Sequence, residues 1–202
     1  CPAGEEPTGP FVLADVYEGL GDAIPRGAAK EIRIMEQVRK TEGLTEHPGD
    51  RVPAFGNRAY DQNPLMSYAT YYAKRCWGSV PIEADGSAFF EAPALREIYF
   101  QVCDADGREL RRMTSAAQLM PGEQVGCVGC HESRTGAPPS RARLPAAIQR
   151  GPSIPVQPAW APDGMIDFAA VVQPVLDDFC VRCHSGGDPA GGCDLSGDKT
   201  RF

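Results

Sequence analysis

Between Lys30 and Val38 the chain reads KEIRIMEQV, in which Ile32, Ile34 and Val38 fall on one alternating face. That period of two predicts a half-buried strand, because a helix through Ile32, Met35 and Val38 would carry Glu36 on its apolar side. Two more extended blocks are organised by Asp-Gly turns. In VPIEADGSAFFEAP, Asp85-Gly86 separates a run ending at Ala84 from one through Phe89 and Phe90. In IYFQVCDADGRELRRM, Asp106-Gly107 stands between aromatic and β-branched residues and a charged return. Both predict β-hairpins. From Phe11 to about Arg112, then, the elements are expected to be short and extended.

The pattern changes after the first third of the second hundred residues. Residues 134–163, RTGAPPSRARLPAAIQRGPSIPVQPAWAPD, hold seven prolines and no sustained period, which predicts a linker or a strap laid over a surface. Beyond it, MIDFAAVVQPVLDDFCVRCH returns to helical spacing, with Asp167 placed to cap a helix and Pro174 in the first turn of a second helical piece. The expected organisation is a β-rich domain over 1–133, a proline-rich strap over 134–163 and a helical segment over 164–202. The fold class is mainly β, a small β-sandwich-like domain with hairpins, followed by a short α-helical segment.

Composition adds exclusions. The 202 residues are 42% hydrophobic, enough for a buried core, and the formal charge of -7 disfavours nucleic acid as a partner. No run of 18 uncharged apolar residues is present, so no transmembrane segment is expected, and any export signal ahead of Cys1 is expected to have been removed. Cysteine is the unusual feature, at eight residues. Four lie in two short motifs, and the other four allow two disulfides, with Cys76–Cys103 and Cys1–Cys193 the expected pairs in an oxidising compartment. Buried free thiols are the plainer alternative. Cys1 also has a reading as a lipid anchor point, given the loose CPAGEEPTGP that it begins.

The two motifs are CVGCH at 127–131 and CVRCH at 180–184. Cys-x-x-Cys-His is the attachment pattern for haem c: two thiols bond the porphyrin vinyl groups and the adjacent imidazole reaches the iron. With 8 cysteines and 3 histidines in 202 residues, one such run is expected by chance only about 0.005 times per chain. Two runs exclude chance. A zinc ribbon usually places its pairs about 15–20 residues apart and does not need a His after each, and a thioredoxin-type dithiol needs a βαβ setting that is missing here. Two covalently bound haem c groups are therefore expected, held by Cys127, Cys130 and His131 and by Cys180, Cys183 and His184.

The axial ligands are harder to supply. His47 is the only other histidine, which makes it the first choice as distal ligand of haem 1. Met113 and Met120 are the alternatives, among five methionines that also include Met35, Met66 and Met165. Residues 185–202 contain neither His nor Met, so the sixth ligand of haem 2 is expected from an outside donor. Glu132, Asp177 and Asp178 flank the motifs, but solvated carboxylates are common and no acid-base constellation is evident.

The order VYEGL, KEIRIMEQV, SVPIEADGSAFFEAPA, IYFQVCDADGREL and RRMTSAAQLMPGEQVGCVGCHESR resembles the haem-bearing middle region of hydrazine synthase alpha-subunit-like proteins. The tail, IDFAAVVQPVLDDFCVRCHSGGDPAGGCDLSGDKTRF, is similar to the start of planctomycete-type cytochrome c domains. The resemblance implies a multihaem protein and adds weight to His47. It also implies a tyrosine ligand just after the haem motif, yet HESRTGAPP contains no Tyr.

The expected function is that of an exported, periplasmic or extracellular dihaem cytochrome transferring electrons, with redox proteins or copies of itself as partners in an oligomer, filament or multihaem complex. The competing expectation is a haem enzyme subunit with an open iron that acts on a small nitrogen or oxygen compound.

Overall fold

A computed structural model of the chain describes residues 6–38, 74–131, 143–166 and 168–197. Alternation builds the first unit, which runs to Gln157. In β2 (Glu31–Gln37) Ile32 and Ile34 are buried on one face while Arg33 lies on the other, as the period of two requires. β2 pairs antiparallel with β3 (Lys74–Pro81) on one side and β5 (Ile98–Cys103) on the other; β6 (Glu109–Arg112) extends the sheet beyond β5. A second sheet has β1 (Thr8–Leu13) at its centre, antiparallel to β4 (Ala88–Pro93) and parallel to β7 (Val125–Cys127).

The two sheets share one core, and the protein is mainly β. Phe11 and Phe90 of the three-stranded sheet stack at 5.5 Å, and Phe100 of the other sheet meets them edge-on at 4.8 and 5.6 Å. Such offset and edge contacts suit the ring quadrupoles. Ile32, Ile34, Val80, Ile98 and Val102 complete the contact from the four-stranded sheet.

The Asp106-Gly107 turn joins β5 to β6 as a hairpin, with Gly107 at φ 74°. Asp85-Gly86 differs from expectation. The turn is tight, with the Glu83 and Ser87 backbones bonded at 2.8 Å, but it carries the chain from β3 of one sheet to β4 of the other. Local turn chemistry was sound; pairing was decided by competition for edges. One edge of β3 is taken by β2, and its other edge receives Val156 through two bonds with Ser79.

Residues 143–157 lace both sheets. Ser153 bridges to Phe90, Val156 bridges to Ser79, and a short helix, α1 (Ala146–Arg150), precedes them. Pro145 gives α1 no side-chain cap, so distant groups supply one: the Ala146 amide donates to Asp85 Oδ2 at 2.8 Å and the Ala147 amide to Ser87 Oγ at 3.0 Å. Burial alone would raise the Asp85 carboxyl, but hydrogen bonds from Ser87 and Ala146 outweigh it and hold it below its ordinary value. A carboxyl depressed on folding stabilises above its unfolded pKa and loses that contribution as pH falls through the folded value. We therefore expect the protection of the Ala146 amide, relative to its intrinsic exchange rate at the same pH, to fall as pH drops through the depressed Asp85 value. Asp85→Ala is expected to give about fivefold faster exchange at neutral pH, the loss of a cap worth about 1 kcal/mol. Equal exchange in both proteins would contradict this role.

The cysteine pairing Cys76–Cys103 is not formed. Cys76 stands opposite Met35 and Cys103 opposite Glu31, on strands that flank β2 from its two sides. Two strand spacings alone are about 9.6 Å, past the roughly 7 Å that a disulfide spans between Cα atoms. Both are buried free thiols; burial pushes Cys103 up to about 11 and raises Cys76. Cys193 is free as well, and Cys1 lies outside the described residues.

The second unit spans Pro158–Phe202, so the division falls inside the segment read as a strap. A π turn (Phe168–Val172) leads into α2 (Gln173–Phe179), with Pro174 in its first turn. No residue of α2 is buried, and Val175 and Phe179 are 54% and 80% exposed. Asp167, the expected cap, lies outside the described residues. Among the described residues no helix is long and apolar enough to cross a membrane.

Candidate haem-attachment sites

The first motif grows directly out of the sheet. β7 ends at Cys127, opposite Leu13, and the backbone pairing continues past both strands: the Ala14 amide donates to Cys127 O and the Asp15 amide to Val128 O, each at 3.0 Å. The Cys130 amide then donates to Glu18 O at 2.9 Å. The motif is thus held against the turn at residues 14–20. That turn is braced by Asp15, only 4% exposed, whose carboxylate accepts from the Tyr17 amide at 3.0 Å and from Arg26 Nη2 at 2.6 Å.

Two glycines make the close approach feasible. A Cβ on Gly129 would strike Glu18, and one on Gly19 would strike the carbonyl of His131; Gly19 also sits at φ 82°.

Between this motif and the four-stranded sheet lies a cavity of about 540 Å³, bordered by Cys127, Cys130 and His131. Its apolar wall is Phe11, Leu13, Leu20, Ile32, Phe100 and Val102. Arg111, Arg112, Met113, Thr114 and Ser115 form the other border. Volume and lining fall in the range of cofactor sites, mostly apolar with a few polar groups. Haem c fits this donor set: two cysteines and a histidine border one space with an apolar wall and cations on its edge. Burial pushes the Cys130 thiol up to about 11, against the opposing pull of Arg111.

The structure separates the distal-ligand candidates. Met113 lines the cavity, because its amide bonds Phe100 O at 2.9 Å and so places it beside an inward-facing ring. Met120 is 58% exposed and does not line it, Met35 is buried within β2, and Met165 belongs to the second unit. His47, Met66 and Glu132 lie outside the described residues. Arg111 and Gly19 were not singled out by sequence reasoning. The signal for Arg111 was the Asp106-Gly107 hairpin, whose register fixes which face each residue of β6 takes.

The second motif begins where α2 ends. Cys180 and Val181 amides both donate to Leu176 O, at 2.8 and 2.9 Å, and the His184 amide donates to Cys180 O at 3.0 Å. The following chain folds back, with the Leu195 amide donating to His184 O at 2.7 Å. The His184 ring places Nδ1 3.1 Å from Cys193 O. A carbonyl only accepts, so Nδ1 carries the proton and Nε2 keeps its lone pair for a metal. This arrangement also fits haem c. Asp177 is engaged by Gln173 at 2.8 Å, which leaves it a structural role. Among the described residues no three His, Cys, Asp or Glu side chains gather into a metal site.

Comparison with known proteins gives matches of two kinds. Residues 27–132, just over half of the chain, match the model of the hydrazine synthase alpha subunit middle domain. A solved structure, Kuenenia stuttgartiensis hydrazine synthase, superposes on 95% of this chain with a TM-score of 0.66 and 18% sequence identity. The chain covers 31% of that structure's chain, and the likeness at this identity is one of fold. No curated protein sequence matches.

Proposed function

Because the chain belongs to the hydrazine synthase alpha subunit middle-domain family, we propose that it is a haem-bearing subunit of a larger redox assembly. In this reading Cys127, Cys130 and His131 hold a haem c at a site that takes up a small nitrogen or oxygen compound. The observation that carries it is the 540 Å³ cavity bordered by all three motif residues. A bound haem supplies an iron that exchanges single electrons and accepts outside ligands at any position the protein leaves open.

The chain's own residues attach, orient and desolvate. Each thiol adds across a vinyl double bond, its sulfur bonding one carbon and its proton passing to the other. The Glu18 carbonyl fixes the Cys130 backbone, and the phenylalanine wall excludes water. The family's tyrosine does not carry over, since none follows His131 in HESRTGAPP. Cys180, Cys183 and His184 hold a second haem c in a cytochrome-like segment, completed by a ligand from a partner subunit. Attachment at both motifs places the protein in a periplasmic or extracellular compartment.

Met113 supports a second reading, a six-coordinate dihaem electron carrier with its thioether on haem 1. Carbon monoxide separates the two. In a protein carrying Cys180→Ser and Cys183→Ser, and so only the first haem, an open cavity iron binds one equivalent when ferrous, and adding Met113→Leu leaves that binding equal. Binding confined to Met113→Leu selects the electron carrier instead.

A further inference from the structure

Arg111 stands opposite Val102 in the β5–β6 pairing, and directly opposed residues take the same face, so it faces the core side with a residue only 1% exposed. Arg112 also borders the cavity but stands opposite Gln101. Its Nε pairs with Glu109 at 3.2 Å, and its charge is felt by Lys74 and Tyr99. Among the described residues no carboxylate pairs with Arg111 in this way. Its hydrogen bond is to Leu20 O, at a long 3.4 Å, and its charge reaches the Cys130 thiol. No Asp or Glu lines the cavity among the described residues, although the chain as a whole carries -7. A cation turned inward on an edge strand can simply discourage strand addition. That role requires neither the neighbouring Thr114 and Ser115 donors nor a carboxylate-free lining.

We infer that Arg111 is the anion clamp of this cavity, its planar fork holding a propionate carboxylate of the haem attached at Cys127 and Cys130. The inference rests on the proposed function, since it needs haem at that motif. Guanidinium matches a carboxylate through two parallel donors and stays charged at any physiological pH. It acts as a positioning residue and as a fixed positive charge that favours the ferrous over the ferric iron.

The test uses the full-length holoprotein. Intact mass counts haems, and spectroelectrochemistry reads haem 1. In Arg111→Gln both haems should remain attached while the ferric-to-ferrous ratio of haem 1 at fixed potential rises about tenfold, about 59 mV for one electron. Arg111→Lys keeps the charge but not the fork and should fall between wild type and Arg111→Gln, whereas Arg108→Gln, whose guanidinium pairs with Asp106 and does not border the cavity, should stay within about twofold of wild type. An unchanged ratio in Arg111→Gln with haem in place overturns the clamp. So does a loss of thermal stability, equal in Arg111→Gln and Arg111→Lys, with no change in ratio. Wild-type protein without haem at Cys127 and Cys130 would instead overturn the proposed function, and intact mass distinguishes that failure from the others.

Discussion

Cys127→Ser with Cys130→Ser is expected to strip the first haem and leave the second, so that Soret absorbance per chain falls to about half. The hydroxyl is close to the thiol in size but does not add to a vinyl group under the same conditions, so attachment is lost with little change in shape. The backbone bonds that seat the motif, from Ala14 to Cys127 O and from Cys130 to Glu18 O, do not involve the side chains and should survive. Exchanging two partly buried thiols for hydroxyls costs about 1–2 kcal/mol each where no partner is found, which a folded β domain tolerates. Intact mass should show one haem fewer, and circular dichroism should keep the β signal. The matching change at Cys180 and Cys183 should remove the other half of the absorbance. It should also reduce helicity, because α2 buries none of its residues and has little besides the motif to hold it. Full absorbance in the first double variant would refute covalent attachment at Cys127 and Cys130.

What the sequence revealed divides along the range of the interactions. β2 was readable because Ile32 and Ile34 alternate within seven residues, and the Asp106-Gly107 hairpin because its partners lie next to each other in the chain. The helix before the second motif was readable from Pro174 and helical spacing. The Asp85-Gly86 turn was legible as a turn but not as a crossing between sheets, since β3 and β4 each had a distant partner, β2 and β1. Cys76 and Cys103 failed as a pair for the same reason: the intervening β2 is remote in sequence from both. At the site, the two Cys-x-x-Cys-His runs stood out from spacing alone, and the proposal that they hold haem rests on them. The cavity did not stand out, because its lining comes from five separate stretches that only the two-sheet packing brings together. Sequence ranked Met113 and Met120 together; the register of β6 with β5 put only Met113 on the cavity.

Gly19→Ala should destabilise the protein by about 3–5 kcal/mol and reduce occupancy of the first haem site, whereas Gly21→Ala should cost about 1 kcal/mol and leave both haems in place. The two glycines share a left-handed backbone, at φ 82° and 80°, so the conformational penalty for alanine is the same at both. They differ in what a Cβ would meet: nothing within 4 Å at Gly21, the backbone carbonyl of His131 at Gly19. A flexible side chain could turn aside, but a carbonyl inside the haem motif can yield only if the motif moves. Residue 19 also follows Glu18, whose carbonyl takes the Cys130 amide, so the displacement would pull apart the seat of the first cysteine pair. Urea unfolding midpoints and haem counts by intact mass, measured on both variants, test the argument. Equal losses at the two positions would mean that strain alone matters and that the contact with His131 does not hold the motif in place.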